Sequence, residues 1–158
     1  MSPDKALKRV ATSRAFTIHQ LANLVAHELP RKVKDHGSRL VVVSGALAML
    51  DDPSVTEPEA RRMAEAIVEG LQTANEGALV LVTLGKATKY DGIVTSAADT
   101  VVALEPCLSG VRANMTKHPS IKPSSVAFRC EDLLTPVRRK EAPRFGKNCP
   151  LVQDSRVA

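Results

Sequence analysis

The chain has 158 residues, 44% of them hydrophobic, which is enough for one domain with a real core and too few for several. Aromatic residues make up 3% and tryptophan is absent, so the core is expected to be aliphatic, which favours α/β layers and leaves few rings for stacking on single-stranded bases. The net charge of +5 is uneven: residues 1–39 hold 8 basic and 3 acidic side chains, 40–106 hold 4 and 10, and 107–158 hold 10 and 4, a split that suits nucleic acid or the acidic face of another copy, or simply a solvated surface.

In chain order, "TIHQLANLVAHEL" opens with Thr17 and Gln20 at capping-box spacing, and Ile18, Leu21, Ala22, Val25 and Leu29 recur at helical intervals. Pro30 is expected to kink or end this helix, with "RKVKDHG" adding a last basic turn that stops at Gly37. A buried strand follows at 39–44, within "RLVVVSGALAML". Thr56 and Glu59 form a second capping box, opening a helix with the apolar stripe Ala60, Met63, Ala64, Ile67, Val68 and Leu71, which ends near Asn75 to Gly77. "ALVLVT", 78–83, is the next buried strand, and the order strand, helix, strand implies a crossover between parallel neighbours. After a loop, "LGKATKYDGIVTSAAD", three shorter strands are expected in "TVVALEP", "GVRANMTKH" and "SVAFRC", antiparallel because their connections are short. From about Leu134 onward the sequence has no periodicity, and 134–158 is expected to be a basic, flexible tail.

No apolar run reaches membrane-spanning length and "MSPDKALKRV" lacks the apolar region of a signal peptide, so a cytoplasmic protein without a membrane partner is expected. Cys107, Cys130 and Cys149 form no C-x-x-C, and His19, His27, His36 and His118 are not spaced with thiols or carboxylates as metal ligands are, so no metal site is expected. Neither G-x-S-x-G nor G-x-G-x-x-G occurs, and no catalytic residue is assigned. A small-molecule α/β enzyme is accordingly the least supported class.

Taken together and in order, "PDKALKRVATSRAFTIHQL", "RLVVVSGALAML", "EARRMAEAIVEGLQTA", "ALVLVTLG", "DTVVALEP" and "TKHPSIKPSSVAF" resemble successive segments of the RecA/RadA recombinase ATPase core, from about residue 3 to residue 129. The order carries the resemblance, since no single motif is diagnostic. It covers the second half of that core. None of the eight glycines forms the G-x-x-x-x-G-K-[ST] loop that cradles phosphates, so the expectation is a truncated gene product or a fragment of a longer protein, with 1–133 a partial RecA-like domain.

The resemblance implies site residues. The strand matching Leu40 to Val43 ends, in the family, in an Asp that helps hold Mg²⁺, and here Ser44 or Gly45 occupies that place; Thr83, followed by Leu84 and Gly85, stands where a polar pair ends in a nucleotide-sensing Gln. Ser44 and Thr83 are therefore nucleotide-adjacent candidates, although either also reads as an ordinary strand-end residue satisfying backbone groups. Lys117, His118 and Pro123 match the segment that caps the nucleotide of an adjacent protomer, and are expected on an exposed edge. The family's DNA-facing loops match Met49 to Glu57, which is acidic, and Gly85 to Ala98, which carries Lys86, Lys89 and Tyr90 as two phosphate partners and a ring for stacking. "RRK" at 138–140 is an alternative phosphate site by charge alone.

The expected fold is α/β, a mostly parallel central sheet with flanking helices followed by short antiparallel strands. The expected function is a RecA/RadA-like domain of a DNA recombination or repair ATPase, catalytically incomplete alone, with no cofactor of its own and with ATP and Mg²⁺ as ligands of a full-length form. DNA and other RecA-like subunits are the implied partners. A non-enzymatic paralogue that binds DNA or protein is the alternative, favoured by the missing Asp and Gln.

Overall fold

The computed structural model describes residues 2–85, 87–108 and 110–129, in two compact units divided after Ala97. The expected tail, "RRK" and Lys86 lie outside the described residues.

In the first unit a short helix α1 (Pro3–Leu7) precedes a longer helical run made of α2 (Ile18–Asn23), a π turn (Leu24–Glu28) and α3 (Leu29–His36). Thr17 begins the run as expected, its hydroxyl accepting the Gln20 N–H at 3.2 Å, while the Gln20 side chain reaches past Thr17 to accept the Phe16 N–H at 3.0 Å. Pro30 neither ends nor breaks it. Proline brings no N–H and its ring crowds the preceding turn, and the wider π turn immediately upstream, closed by Leu29 N–H donating to the Leu24 carbonyl, lets the run pass through. Gly37 ends it in the left-handed region at φ 58°, with Gly37 N–H donating to the Lys34 carbonyl and Ser38 N–H to that of Val33, the two bonds of a Schellman stop.

The strands β1 (Leu40–Ser44) and β2 (Leu79–Thr83) pair in parallel with Leu40 opposite Leu79 and Ser44 opposite Thr83, and α4 (Glu57–Asn75) connects them. On α4, Ala60, Ala64, Ile67, Leu71 and Ala74 are buried, following the expected stripe, while Met63 and Val68 are half-buried beside it. Gly70 lies on the same face where α4 crosses the π turn, and a Cβ there would stand 2.6 Å from Ala26 Cα and against the Val25 carbonyl oxygen. The capping box expected at Thr56 does not form: the Thr56 hydroxyl makes no cap bond, and the Glu59 carboxylate lies 3.5 Å from His19 Nε2 instead.

Alternation splits the parallel sheet into two faces. Val41, Val43, Val80 and Val82 turn toward the helices and join the core, with Val41 and Ala78 packed beside Val33 and Ala74. The other face is bare: Leu40 is 56% exposed, Val42 57%, Leu79 68% and Leu81 52%. Parallel sheets ordinarily have both faces covered.

A short helix, α5 (Asp91–Ala97), occupies the segment expected to be a loop and packs Val94 into the core. The second unit contains β3 (Val101–Cys107), β4 (Gly110–Lys117) and β5 (Ser124–Arg129), antiparallel in that order, as expected. The architecture is thus α/β: the described strands form a two-stranded parallel sheet flanked by helices, followed in the chain by a three-stranded antiparallel one, so the parallel sheet is smaller than expected. In the second unit, one face aligns Val102, Leu104 and Pro106 with Met115, Ala113 and Val111, while the other opposes Glu105 to Arg112. None of its described residues is buried. No described helix is long and apolar enough to cross a membrane.

Candidate functional site

Ser44 and Thr83 end neighbouring parallel strands in register, so their side chains emerge side by side, and the Thr83 hydroxyl donates to the Ser44 hydroxyl at 3.2 Å. Both residues are exposed and belong to the bare face, one period beyond Val42 and Leu81. Gly45 then turns the chain away from the sheet in the left-handed region at φ 66°, its N–H donating to the Thr83 carbonyl at 3.0 Å. Nothing lies within 4 Å of a Cβ added at Gly45, so conformation rather than space favours glycine there. The hydroxyl pair offers three free lone pairs and one uncommitted proton. That chemistry can hydrogen-bond a polar ligand or a water.

Beyond Gly45, a 3-10 turn (Ala48–Asp51) anchors the chain through buried Leu47 and Leu50. Asp52 then folds the acidic loop on itself: one carboxylate oxygen accepts the Ser54 N–H at 2.8 Å and the Ser54 hydroxyl at 2.7 Å, which holds this carboxyl below its ordinary range. The loop after β2 is ordered by a different device. Thr88 and Asp91 exchange bonds in the manner of a capping box, with the Asp91 carboxylate accepting from both the Thr88 N–H and its hydroxyl, while Thr88 Oγ1 accepts the Tyr90 N–H.

This arrangement separates the two described residues of the expected DNA-binding set. Tyr90 is 5% exposed and packs in the core with Val94 and Ile67, so its ring offers no open face to a base; the expected stacking is not available in this conformation. Lys89 stays exposed, its ammonium 3.1 Å from the Glu57 carboxylate and 5.3 Å from the Tyr90 ring centre. The hydrogen bond to Glu57 is the main reason the Lys89 ammonium is held above its ordinary range.

Glu57 and Lys89 tie together the two loops flagged from sequence, and beside them opens a cleft of about 450 Å³ lined by Glu57, Pro58, Arg61, Lys89, Tyr90 and Ile93. Sequence reasoning missed Glu57 and Arg61. Arg61 Nε donates to Glu65 at 3.1 Å, so both cations of the cleft already hold a carboxylate. Exposed pairs of this kind contribute little and are screened by salt.

Lys117, His118 and Pro123 belong to the second unit and flank the loop joining β4 to β5. Lys117 and Pro123 are exposed and His118 is half-buried, so this segment presents at least two of its three residues to solvent. Among the described residues no group of three His, Cys, Asp or Glu side chains comes together to hold a metal ion. Comparison with protein-family models and with curated proteins gave no match for this chain.

Proposed function

We propose that this chain is a RecA/RadA-like domain of a DNA recombination or repair ATPase, catalytically incomplete by itself. The observation that carries the reading is the in-register meeting of Ser44 and Thr83 at the carboxyl ends of parallel strands joined by α4, with an antiparallel sheet following in sequence. Carboxyl ends of parallel strands are where open α/β sheets bind ligands. The bare aliphatic face on which the pair sits supports a sheet completed by other polypeptide, as a partial core requires. Phosphate affinity in such a fold depends on a Gly-rich loop that this sequence does not contain, so no measurable ATPase and no submillimolar ATP binding are expected. Calorimetry on the full chain checks this; tight ATP binding that Ser44→Ala or Thr83→Ala abolishes would overturn it.

DNA binding tests the reading positively. It should be weak, nearly independent of sequence and salt-dependent, with log affinity falling against log salt by roughly 0.9 per phosphate contact on duplex and roughly 0.7 on single strands. Lys86→Ala combined with Lys89→Ala should lower that slope by about two contacts, whereas removing residues after Thr135 should leave it nearly unchanged. Glu57→Gln frees Lys89 from its carboxylate and should tighten binding at low salt. Anisotropy titrations of a labelled oligonucleotide measure all of these. Binding that survives the lysine changes and vanishes with the tail would move the contact to Arg138, Arg139 and Lys140.

The alternative, a non-enzymatic paralogue that binds DNA or protein, is favoured by one observation: the hydroxyls of Ser44 and Thr83 are bonded to each other where a carboxylate would be needed for magnesium. Absence of DNA binding even at low salt would favour the protein-binding form of this alternative.

A further inference from the structure

We propose that His118 is a proton-operated latch on the β4–β5 loop. The loop runs through "HPSIKP", and between its two prolines only Ser120, Ile121 and Lys122 carry backbone N–H groups. Two of these three, Ser120 N–H and Ile121 N–H, donate to the same acceptor, His118 Nδ1, each at 3.0 Å. The imidazole thus closes the turn as an Asp or Asn side chain does when it accepts from the backbone two residues on. An acceptor at Nδ1 means that the ring is neutral with its proton on Nε2. Adding a second proton turns Nδ1 into a donor facing two donors, and both bonds are lost at once. The loop then opens, changing how the exposed Lys117 and Lys122 are presented.

Besides His118 itself, the charged or titratable side chains described in this unit are Asp99, Glu105, Cys107, Arg112, Lys117, Lys122 and Arg129. Lys117 and Lys122 flank it on its own segment, and Asp99 precedes β3, whose Val101 pairs with Lys117. The charged residue of β5, Arg129, is paired with Gly110 at the far end of that strand. The latch is independent of the nucleotide and DNA reading, since it rests on the turn's own hydrogen bonds.

The test is amide exchange and chemical-shift titration by NMR on the full chain as pH is lowered from about 8 to about 5, the interval in which histidine side chains change charge. Ser120 and Ile121 should move together with the His118 ring signals, and their exchange, corrected for its intrinsic pH dependence, should quicken roughly tenfold as the ring becomes charged. His118→Asn places an uncharged carbonyl oxygen at similar reach and should keep both amides protected throughout, whereas His118→Ala should lose protection at every pH. Amides that ignore ring protonation, or an Asn variant that behaves like the Ala variant, would overturn the latch. Should the Ala variant not fold, the Asn variant against the native chain decides alone.

Discussion

Gly70→Ala is expected to destabilise the first unit by about 2 kcal/mol, although the same change in an exposed helix interior stabilises by about 1 kcal/mol. The reversal follows from the crossing of α4 over the π turn. The added methyl would stand 2.6 Å from Ala26 Cα and against the Val25 carbonyl oxygen, and both are backbone atoms that cannot swing aside as a side-chain tip would. Relief requires the helices to separate, which loosens Val25 and Ile67, two fully buried side chains. Urea unfolding reads the effect as a lowered midpoint with little change in slope; a raised midpoint would show that the helices do not approach as closely as described.

Ile67→Ala should cost about 2–5 kcal/mol, because the side chain is fully buried and packing partners from several elements cannot collapse into the space it leaves. Its informative counterpart is Leu79→Thr. Leu79 is an equally large aliphatic residue, yet it is 68% exposed on the bare face of the parallel sheet, and threonine keeps the strand preference. That change should stay within about 0.5 kcal/mol in the isolated chain. If Leu79→Thr proves as costly as Ile67→Ala, the face is covered in solution, and the variant would then identify a real packing surface.

The elements that were legible in the sequence are those whose pattern depends on near neighbours. The two aliphatic runs, the stripe of α4 and the three short strands after Asp99 were each written in a period of a few residues, and the parallel pairing followed from chain order. What escaped depended on distant partners. The π turn is a response to Pro30 in a helix that packing holds together, and Pro30 alone reads as a break. Glu59 looked like the partner of Thr56 until His19 arrived from another helix. Tyr90 was expected to face DNA because its loop matches a DNA-facing loop of the resembled family, although the spacing of Thr88 and Asp91 in "TKYD" signals a helix start, with Tyr90, Ile93 and Val94 on its apolar side. Ser44 and Thr83 were separately visible at strand ends; that their hydroxyls touch is a matter of register. Glu57, Arg61 and Lys89 share a cleft that no local pattern encodes.

The burial of Tyr90 gives the chain an optical probe. The sequence has one tyrosine and no tryptophan, so nearly all tyrosine-type ultraviolet emission and most of the near-ultraviolet circular dichroism arise from this single ring in the core of the first unit. An unfolding curve followed by that signal reports the core of the first unit, where Tyr90 packs in one cluster with Ile67 and Val94. Comparing it with far-ultraviolet dichroism, which sees the backbone of the whole chain, tests without a label whether the chain melts in one step: coincident curves show that it does.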